Sequence, residues 1–443
     1  MADFERLYEF LLQESVKCTR PPVARFEYPW LAPMPLTPEG QAFINARAGD
    51  APTEEGYLDV FNSGDYSLGM FHHDASEASI ELMKHPAFHD ACSGSLLNFL
   101  NCARADGLIH RVELCHKAHE LEPTKPVMAQ FALRIAREMG EKGIAWLLHH
   151  NIHHRLTGYI RFNEINYRGM HGLYLAHSSL QTGFDNDLLT VAVPDKEVED
   201  PGATAFMILE YEAMADLSAI LHLSKEQTWF RKSAQRLRDL MNDLAWYENE
   251  QGGFYVALRF KGGSAHLGDE VVGETIAGNF SPYHSWVSFL PLYAGVPDAE
   301  RAEKMFRLLL DPGEYRSPVG IRTLSARNLY FNQAPRSLIY DHKAASRTPV
   351  SNWMGPVWIL SNYYMAEALA KYGHEDEARK ITLETANLLL NSLETQGGLF
   401  ECYNDNGQGL WPASGGFVSW NVLALTLLRR FAPELTGGWQ PFV

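Results

Sequence analysis

One local pattern recurs along the chain: a helical run ends at a glycine pair or an Asp-Gly, and a short apolar piece follows. It occurs at residues 104–110, 250–256 and 395–401. Glycine ends helices because it adopts the left-handed conformation at little cost. The long alternation of apolar and polar residues that half-buried strands require is nearly absent. The chain is therefore predicted to be all-α, with long loop insertions and a few short strands.

The spacing between these units is irregular, which argues against a solenoid with a fixed period. A closed ring of helical hairpins is expected instead, with its long loops gathered at one end, where a functional site belongs. Residues 1–443 are treated as a single barrel domain, with residues 1–57 forming an N-terminal helix and an extended loop packed on it. One helix is expected to begin within 64–78, and the others cover residues 2–17, 90–104, 126–139, 141–154, 203–221, 225–249, 280–293, 298–310, 357–372, 374–393 and 417–431.

Charge and cysteine content limit the partners. The chain carries 54 acidic and 38 basic residues, a net charge of −16, which argues against nucleic acid and anionic membranes as partners. No apolar run approaches the roughly 18 residues that a membrane span needs. Five cysteines without a Cys-x-x-Cys pair indicate reduced thiols and a cytoplasmic location, and argue against a disulfide frame or a zinc site. A homo-oligomer is left open.

Asp185 is the carboxylate with the most unusual sequence surroundings. It follows Gly183-Phe184, precedes Asn186, and has no basic residue within seven positions on either side. Burial in an uncharged, aromatic turn raises the pKa of a carboxyl group, as a general acid near neutral pH requires. The alternative is an Asx-type turn or a helix cap.

Three further stretches have a composition that favours a site. Glu401 lies between Phe400 and Tyr403 just after a helix stop, again without a nearby base. Two tryptophans flank Gly355-Pro356 at a predicted helix start, and Asp74 follows a Phe-His-His run. Two carboxyl groups in separate aromatic loops are the minimum for glycoside hydrolysis, in which one protonates the leaving oxygen and the other activates water.

The motifs together resemble the (α/α)6-barrel glycosidases of clan G, namely glycoside hydrolase family 63 and the related trehalases. The similarity is greatest to the small bacterial members that cleave mannosylglycerate or glucosylglycerate. The resemblance covers roughly residues 60–430 and follows the order of the family's motifs. The segments that carry it are His73–Ser76, Asp106–His110, Thr124–Pro126, Gln181–Asp187, Leu290–Gly295, Trp353–Trp358, Glu401–Asn404 and Phe417–Trp420.

The resemblance implies an inverting α-glycosidase that acts on a small α-glucoside or α-mannoside without a cofactor or metal. It makes Asp185 the general acid and Glu401 the general base, with a separation of roughly 6.5–9.5 Å between the two carboxyl groups. The substrate-binding residues expected on the same basis are Phe71, Asp74, Gly183, Phe184, Trp353, Gly355, Trp358, Tyr403 and Trp420.

Four positions depart from the family's pattern and bear on substrate identity. Gln181 stands where the family commonly has Glu, and His73 stands where it has Trp. Met354 replaces an Arg. Asp187 replaces a Ser and competes with Asp185 for the role of the acid.

Two alternative functions remain open at the sequence level. A sugar epimerase of the same barrel would use histidines as acid and base, for which His73, His110, His177 and His284 are candidates. A non-catalytic sugar-binding relative would keep the tryptophans but lose a carboxylate, and neither carboxylate is lost.

Several other groups have both a functional and a structural interpretation. His149, His150, His153 and His154 have a zinc-compatible spacing on a helix, but helix-end histidines are favoured. Side chains of two loops are candidates for clamping a carboxylate on the aglycone, although a structural role is favoured: Asp65, Tyr66, Arg155, Tyr159, Arg161, Asn163 and Tyr167. A long loop before Trp353 holds four charged residues that would either close over the site or stay solvated: Asp341, His342, Lys343 and Arg347.

Overall fold

Helices make up most of the regular structure in the computed structural model, which describes residues 2–23, 25–38, 40–42, 66–114, 122–191, 198–259, 270–276, 279–332, 351–412 and 414–442. The α-helices are α1 (Ala2–Cys18), α2 (His72–Leu82), α3 (His89–Cys102), α4 (Met128–Met139), α5 (Glu141–His149), α6 (Ile152–Asn166), α7 (Ser179–Thr182), α8 (Leu188–Val191), α9 (Pro201–Ile220), α10 (Ser224–Leu244), α11 (Leu290–Tyr293), α12 (Ala299–Leu309), α13 (Ile359–Lys371), α14 (Glu375–Gln396) and α15 (Leu423–Phe431). Single 3-10 turns lie at Pro86–Phe88, Trp286–Phe289, Ser419–Val422 and Pro433–Leu435.

Six helical segments of the described chain close into an inner ring. In order they are α2, α4, α9, α11 with its preceding 3-10 turn, α13, and α15 with its preceding 3-10 turn. Each segment packs on the next, and the last packs on the first. The other long helices cover this ring from outside, so the fold is the expected (α/α)6 barrel.

Inner and outer helices differ in their sequence pattern because they differ in burial. Helix α9 is buried on nearly all sides and is correspondingly apolar throughout. Helix α10 is amphipathic: it buries Phe230, Ala234, Leu237 and Met241 at helical spacing and exposes much of the rest. An apolar stripe against the inner ring is what such a surface helix requires.

The N-terminal ends of the inner helices meet at one end of the barrel. Lys125, just before α4, lies 2.9 Å from His73 in the first turn of α2. Trp353, which precedes α13, stacks on Trp286 and on Trp358. Trp420, at the start of the last inner segment, packs against Trp358. Residues just before or within the first turns of the inner helices therefore share one region of space.

The strands are short and connect loops at the ends of the helices. β3 pairs with β4 in antiparallel register, with Phe71 opposite Val112, and this pairing brings residue 111 beside the start of α2. β15 pairs with β16 next to Glu401. The strands are β1 (Thr19–Arg20), β2 (Trp30–Leu31), β3 (Gly69–Phe71), β4 (Val112–Leu114), β5 (Leu175–Ala176), β6 (Val198–Glu199), β7 (Trp246–Asn249), β8 (Gly252–Tyr255), β9 (Leu258–Arg259), β10 (Glu270–Val271), β11 (Gly273–Ile276), β12 (Asn279–Pro282), β13 (Arg316–Ser317), β14 (Gly320–Ile321), β15 (Cys402–Tyr403) and β16 (Gly409–Trp411).

Three helix predictions are wrong in their extent. The helix expected over 225–249 ends at Leu244, and the remainder forms β7, which pairs with β8. The helix expected over 280–293 is β12, a 3-10 turn capped by the Ser285 hydroxyl, and then α11. The helix expected over 141–154 is divided at Asn151, whose φ of 52° is left-handed. A helix cannot continue through that conformation.

The N-terminal helix packs on the barrel. Helix α1 contacts α14 and buries Leu7, Leu11 and Leu12. In the loop expected over 20–57, β1 pairs with β2, while residues 43–65 lie outside the described residues. None of the described helices is both long and apolar enough to cross a membrane.

Candidate active site

A cavity opens among the N-terminal ends of the inner helices. The free space within it is about 510 Å³, which includes the open solvent at its mouth. Both proposed catalytic carboxyl groups line it, so they share one cavity although they come from distant parts of the chain. The lining residues are Pro33, Tyr66, Phe71, His72, His73, Asp74, Arg111, Gly183, Asp185, Ser351, Trp353, Glu401, Phe417 and Trp420.

Asp185 is held at the cavity by a short helix and a tight turn. The Ser178 hydroxyl caps α7 by accepting a hydrogen bond from the Gln181 amide, at 3.2 Å. Gly183 ends α7 with a φ of 75°, a conformation that glycine adopts most easily. Arg111 Nη1 lies 3.8 Å from Asp185 Oδ1. The expectation of an uncharged setting was therefore wrong, because Arg111 is distant in sequence and reaches Asp185 only through the pairing of β3 with β4.

Glu401 is buried in the opposite loop. Its amide donates to the carbonyl of Trp411 at 2.5 Å, and its own carbonyl accepts from Trp420 Nε1 at 3.4 Å. Burial raises the pKa of Glu401 well above the usual value, and the charges of Asp185 and Asp74 add to the shift, while the Ser351 hydroxyl opposes it. Glu401 Oε2 has no hydrogen-bond partner among the described residues. The strongly raised pKa thus belongs to the proposed base.

Asp74 is the third carboxyl group of the site. It lies in the first turn of α2. Burial raises its pKa to about 7; the charge of Asp185 adds to the shift, and the nearby Ser419 hydroxyl opposes it. Asp74, Asp185 and Glu401 are therefore electrostatically coupled, and protonation of one favours ionisation of the others.

Asn186 connects the loop of Asp185 to the loop of Trp353. Its Oδ1 accepts a hydrogen bond from the Trp353 amide at 2.6 Å, and its Nδ2 donates to Asn352 Oδ1 at 3.1 Å. The Trp353 loop is joined in turn to the Glu401 loop, because the backbones of Val357 and Tyr403 exchange hydrogen bonds of 2.7 and 2.9 Å. The two carboxyl groups are thereby fixed to one continuous framework.

Stacked aromatic rings form one wall of the cavity and the layer behind it. Trp353 lines the cavity and lies between Trp286 and Trp358, with ring centroids 5.5 and 3.6 Å away. Trp420 lines the cavity beside Phe417, at 4.7 Å. Trp353 is thus held by two stacked rings, which makes this wall of the cavity rigid.

The structure divides the predicted substrate-binding residues into two groups. Phe71, Asp74, Gly183, Trp353 and Trp420 line the cavity. Phe184, Gly355, Trp358 and Tyr403 do not.

Each residue of the second group is buried behind the wall for a packing reason. Phe184 packs between the rings of Trp286 and Trp353. Trp358 stacks behind Trp353, and its Nε1 donates to the Asn352 carbonyl. The Tyr403 hydroxyl accepts from the Phe400 amide. Gly355 has a φ of 131°, and a side chain there would collide with Asn332. These four residues support the site and do not line it.

Asp187 does not compete with Asp185 for the cavity. It is fully buried, and its Oδ1 accepts from the Leu189 amide at 3.0 Å. Burial raises its pKa to about 7, the charge of Asp200 adds to this, and the nearby Ser285 hydroxyl opposes it. Its side chain therefore belongs to the core beneath the turn.

The histidines of the epimerase alternative do not converge. His73 lines the cavity, whereas His110 pairs with Glu113 at 2.9 Å, His177 lies 3.4 Å from Glu122, and His284 bonds the Tyr315 hydroxyl at 2.6 Å. An acid and base pair of histidines across one pocket is therefore not formed by these four.

The histidine group proposed for zinc is split between two helices. Helix α5 ends at His149, and α6 begins at Ile152, so the expected spacing on one helix is lost. His153 bonds the Ser218 hydroxyl at 2.8 Å.

Most of the proposed aglycone clamp lies away from the cavity. Arg155, Tyr159, Arg161, Asn163 and Tyr167 belong to α6 or its C-terminal end, and none lines the cavity. Tyr66 does line it, and its hydroxyl accepts a hydrogen bond from Trp411 Nε1 at 2.6 Å. Four charged residues of the loop before Trp353, together with Asp65, lie outside the described residues: Asp341, His342, Lys343 and Arg347.

Sequence reasoning missed Arg111, Ser351 and Pro33 as lining residues. Arg111 directly follows the Asp106–His110 motif, so the end of that motif was the available signal for it. Ser351 directly precedes the tryptophan motif. Pro33 has no comparable signal, because its position depends on the packing of the N-terminal loop.

Comparison with known proteins gives consistent results. The family model described as the mannosylglycerate hydrolase MGH1-like glycoside hydrolase domain matches residues 136–418, which is more than half of the chain. Mannosylglycerate hydrolase MGH2 of Selaginella moellendorffii is 28% identical over 210 residues, covering 46% of this chain and 36% of that protein. A mannosylglycerate hydrolase of Rubrobacter radiotolerans is 27% identical over 223 residues, covering 50% and 42%. The alignments thus span well under half the length of either relative.

Solved structures share the fold at low sequence identity. The GH63 mannosylglycerate hydrolase of Thermus thermophilus, in complex with glucose, has a TM-score of 0.59 at 17% identity and covers 82% of this chain and 93% of its own. A neutral trehalase of Saccharomyces cerevisiae has a TM-score of 0.60 at 13% identity, with coverage of 84% and 74%. These similarities support the barrel assignment.

Proposed function

The chain belongs to the MGH1-like glycoside hydrolase family, and from this membership we propose that it is an inverting α-glycosidase acting on a small α-mannoside or α-glucoside. The observation that carries the proposal is that Asp185 and Glu401 line one cavity, together with Trp353 and Trp420. Mannosylglycerate is the first substrate to test, because the relatives named above are mannosylglycerate hydrolases.

In the proposed reaction Asp185 protonates the glycosidic oxygen, and Glu401 removes a proton from the water that attacks the anomeric carbon. The raised pKa of Glu401 makes its ionised form a stronger proton acceptor, which favours general-base catalysis. Inversion requires roughly 6.5–9.5 Å between the two carboxyl groups, so that water fits between the base and the sugar. The reaction uses carboxyl groups of the chain alone.

The sugar at the cleaved position is proposed to lie against Trp353, with Asp74 accepting hydrogen bonds from its hydroxyl groups. Trp353 is supported by Trp358, and Asp74 Oδ1 has no hydrogen-bond partner among the described residues. Phe71 and Trp420 complete the walls, and Gly183 leaves space for the ring. A buried acceptor of this kind favours hydroxylated ligands, because an unpaired polar atom in the complex is costly.

Arg111 is proposed to act on the aglycone side. It is the only lysine or arginine among the described residues that line the cavity, and it lies 3.8 Å from the proposed acid. The general acid faces the leaving group, so a carboxylate on the aglycone would lie within reach of this guanidinium. A charged group of this geometry suits carboxylate recognition.

The central experiment is a hydrolysis screen of mannosylglycerate, glucosylglycerate, trehalose and short α-glucosides. NMR follows the anomer released. Release of the β-anomer from an α-glycoside supports inversion, whereas release of the α-anomer refutes it. Absence of hydrolysis across the series refutes the proposed substrate class.

Three variants separate the roles of the carboxyl groups. Asp185→Asn is expected to lose activity on natural substrates but to keep activity on α-glycosyl fluorides, whose leaving group needs no proton. Glu401→Gln is expected to lose activity on both substrate types. Asp187→Asn is the matched control, since Asp187 is buried two residues from Asp185 but does not line the cavity. Equal losses in all three variants would contradict the assignment.

We further propose that residues 1–443 act as one catalytic domain and that the enzyme is cytoplasmic. Helix α1 packs on the barrel, which supports the first proposal, and deletion of residues 1–18 is expected to destabilise the barrel. Fractionation of the source cells tests the second.

A further inference from the structure

One departure from the family's sequence pattern, His73, contacts Lys125 beneath the cavity. His73 stands in place of a tryptophan, and Lys125 lies in a Thr-Lys-Pro segment that resembles Gln-Pro-Pro. Lys125 Nζ is 2.9 Å from His73 Nε2. Their relative exposures are 2% and 3%. A buried lysine is therefore paired with a histidine that lines the cavity.

Lys125 is enclosed by groups that stabilise a cation. Its ammonium group lies 4.0 Å from the ring centre of Phe184 and 4.2 Å from that of Phe206. Burial lowers the pKa of Lys125 well below its usual value, while the carboxylates of Glu77, Asp200 and Asp74 act in the opposite direction. Glu77 Oε1 also lies 3.9 Å from His73 Nε2. When Lys125 is an ammonium group it has only donors, so in that state His73 Nε2 accepts and the imidazole proton resides on Nδ1.

His73 Nδ1 has no hydrogen-bond partner among the described residues. It faces Gly183: a Cβ at that position would lie 2.8 Å from Nδ1. Both residues line the cavity. The neighbouring His72 is different, because its Nδ1 bonds the Arg111 carbonyl and its Nε2 accepts from the Lys125 amide, both at 3.0 Å. Of the two adjacent histidines, His73 alone retains an unused ring nitrogen at the edge of the site.

We propose that His73, oriented by Lys125, donates a hydrogen bond from Nδ1 to a hydroxyl group of the bound sugar and so determines which sugar is accepted. The inference rests on the proposed glycosidase function. Lys125 is a positioning residue, and His73 is the residue that contacts the substrate. A donor discriminates against a sugar lacking that hydroxyl, which a tryptophan ring at the same place cannot do to the same degree.

Two amide variants of His73 separate its two nitrogens. The asparagine amide reaches the position of Nδ1, and the glutamine amide reaches the position of Nε2, so His73→Asn keeps a donor toward the cavity and His73→Gln loses it. The assay is kcat/KM on the accepted α-glycoside and on its monodeoxy analogues. For one deoxy position the wild type is expected to lose roughly 10- to 100-fold, as for an unpaired buried donor.

His73→Asn is expected to keep most of this discrimination, and His73→Gln is expected to show less than about threefold. Undiminished discrimination at every position in His73→Gln would overturn the proposal. If both variants lose activity, binding is measured instead: wild type and variants are titrated with the free sugar and with its deoxy forms. The Kd values must then show the discrimination against the deoxy sugar in wild type and His73→Asn, and its loss in His73→Gln.

A second measurement does not depend on hydrolysis. The protein is labelled with ¹⁵N-histidine, and the ring of His73 is assigned by its disappearance in His73→Asn. We expect the wild type to carry the proton on Nδ1, and we expect Lys125→Met to show a mixture of the two tautomers. A proton on Nε2 in the wild type refutes the inference even if the enzyme is an active glycosidase. The Nδ1 tautomer in a protein without hydrolytic activity supports the Lys125–His73 geometry and places the failure in the proposed function.

Discussion

Replacing Asn186 with alanine is expected to weaken both the fold and catalysis, because this side chain joins two loops of the site. The substitution removes the 3.1 Å hydrogen bond to Asn352, worth about 0.5–1.5 kcal/mol. It also leaves the buried Trp353 amide without its 2.6 Å acceptor, which costs about 1–3 kcal/mol. The free energy of unfolding should therefore fall by about 1.5–4.5 kcal/mol.

The assay is urea unfolding followed by tryptophan fluorescence, which reports the stack around Trp353. Asn163→Ala is the control: Asn163 is equally buried, but its amide bonds only the Tyr159 carbonyl within the same helix. That variant is expected to lose about 1 kcal/mol and to keep full activity. Asn186→Ala should in addition lose at least about tenfold in kcat, because the turn that carries Asp185 is no longer held.

A double-mutant cycle with Asn352→Ala isolates the side-chain pair. The coupling free energy between Asn186 and Asn352 is expected to be about 0.5–1.5 kcal/mol. A destabilisation by Asn186→Ala no greater than that by Asn163→Ala, together with unchanged kcat, would refute the linkage between the two loops.

Three further predictions follow from the pKa values and the turn geometry. In the pH profile of kcat/KM, the midpoint of the acid limb should lie above the ordinary pKa of glutamate, because the pKa of Glu401 is raised and the base must be ionised. A midpoint near pH 4 would contradict this. Because the pKa of Asp187 is raised to about 7 in the folded state, its contribution to stability is lost as pH rises toward 7. The free energy of unfolding of Asp187→Asn should therefore exceed that of wild type by roughly 3–4 kcal/mol at pH 8 and be nearly equal to it at pH 4, as measured by urea unfolding. Gly183→Ala should lower the free energy of unfolding by about 1–3 kcal/mol and reduce kcat/KM, because the new Cβ would meet His73. Gly397 has a similar φ of 73° but no atom within 4 Å of the position that a Cβ would take, so Gly397→Ala should show the backbone cost alone. Equal effects of the two substitutions would mean that the contact with His73 costs nothing.

Helices with one exposed face were predictable, and those without one were less so. Helix α10 was recognised because Phe230, Ala234 and Leu237 repeat at helical spacing. The segment 280–293 was misassigned: residues 285–292 are all buried, and they form a 3-10 turn and a short helix after the end of a strand. Continuous burial removes the periodic signal that distinguishes these structures.

The carboxyl groups of the site were predictable from motifs, but their neighbours depended on tertiary contacts. Asp185 and Glu401 share the cavity, as expected. Phe184 and Tyr403 were expected beside them because they are close in sequence, yet adjacent side chains point in different directions, and both rings pack behind the wall. Arg111 was missed because its distance from Asp185 is set by the pairing of β3 with β4.

The meeting of the inner-helix N-termini at one end of the barrel has an electrostatic consequence. A helix N-terminus carries up to about half a positive charge from its aligned peptide dipoles, so the N-termini beside the cavity favour the ionised forms of Asp74, Asp185 and Glu401. The backbone thereby partly offsets the acids of the site, in a chain with a net charge of −16. Arg111, the one lysine or arginine among the described residues that line the cavity, can then change with the leaving group while the acid pair is retained.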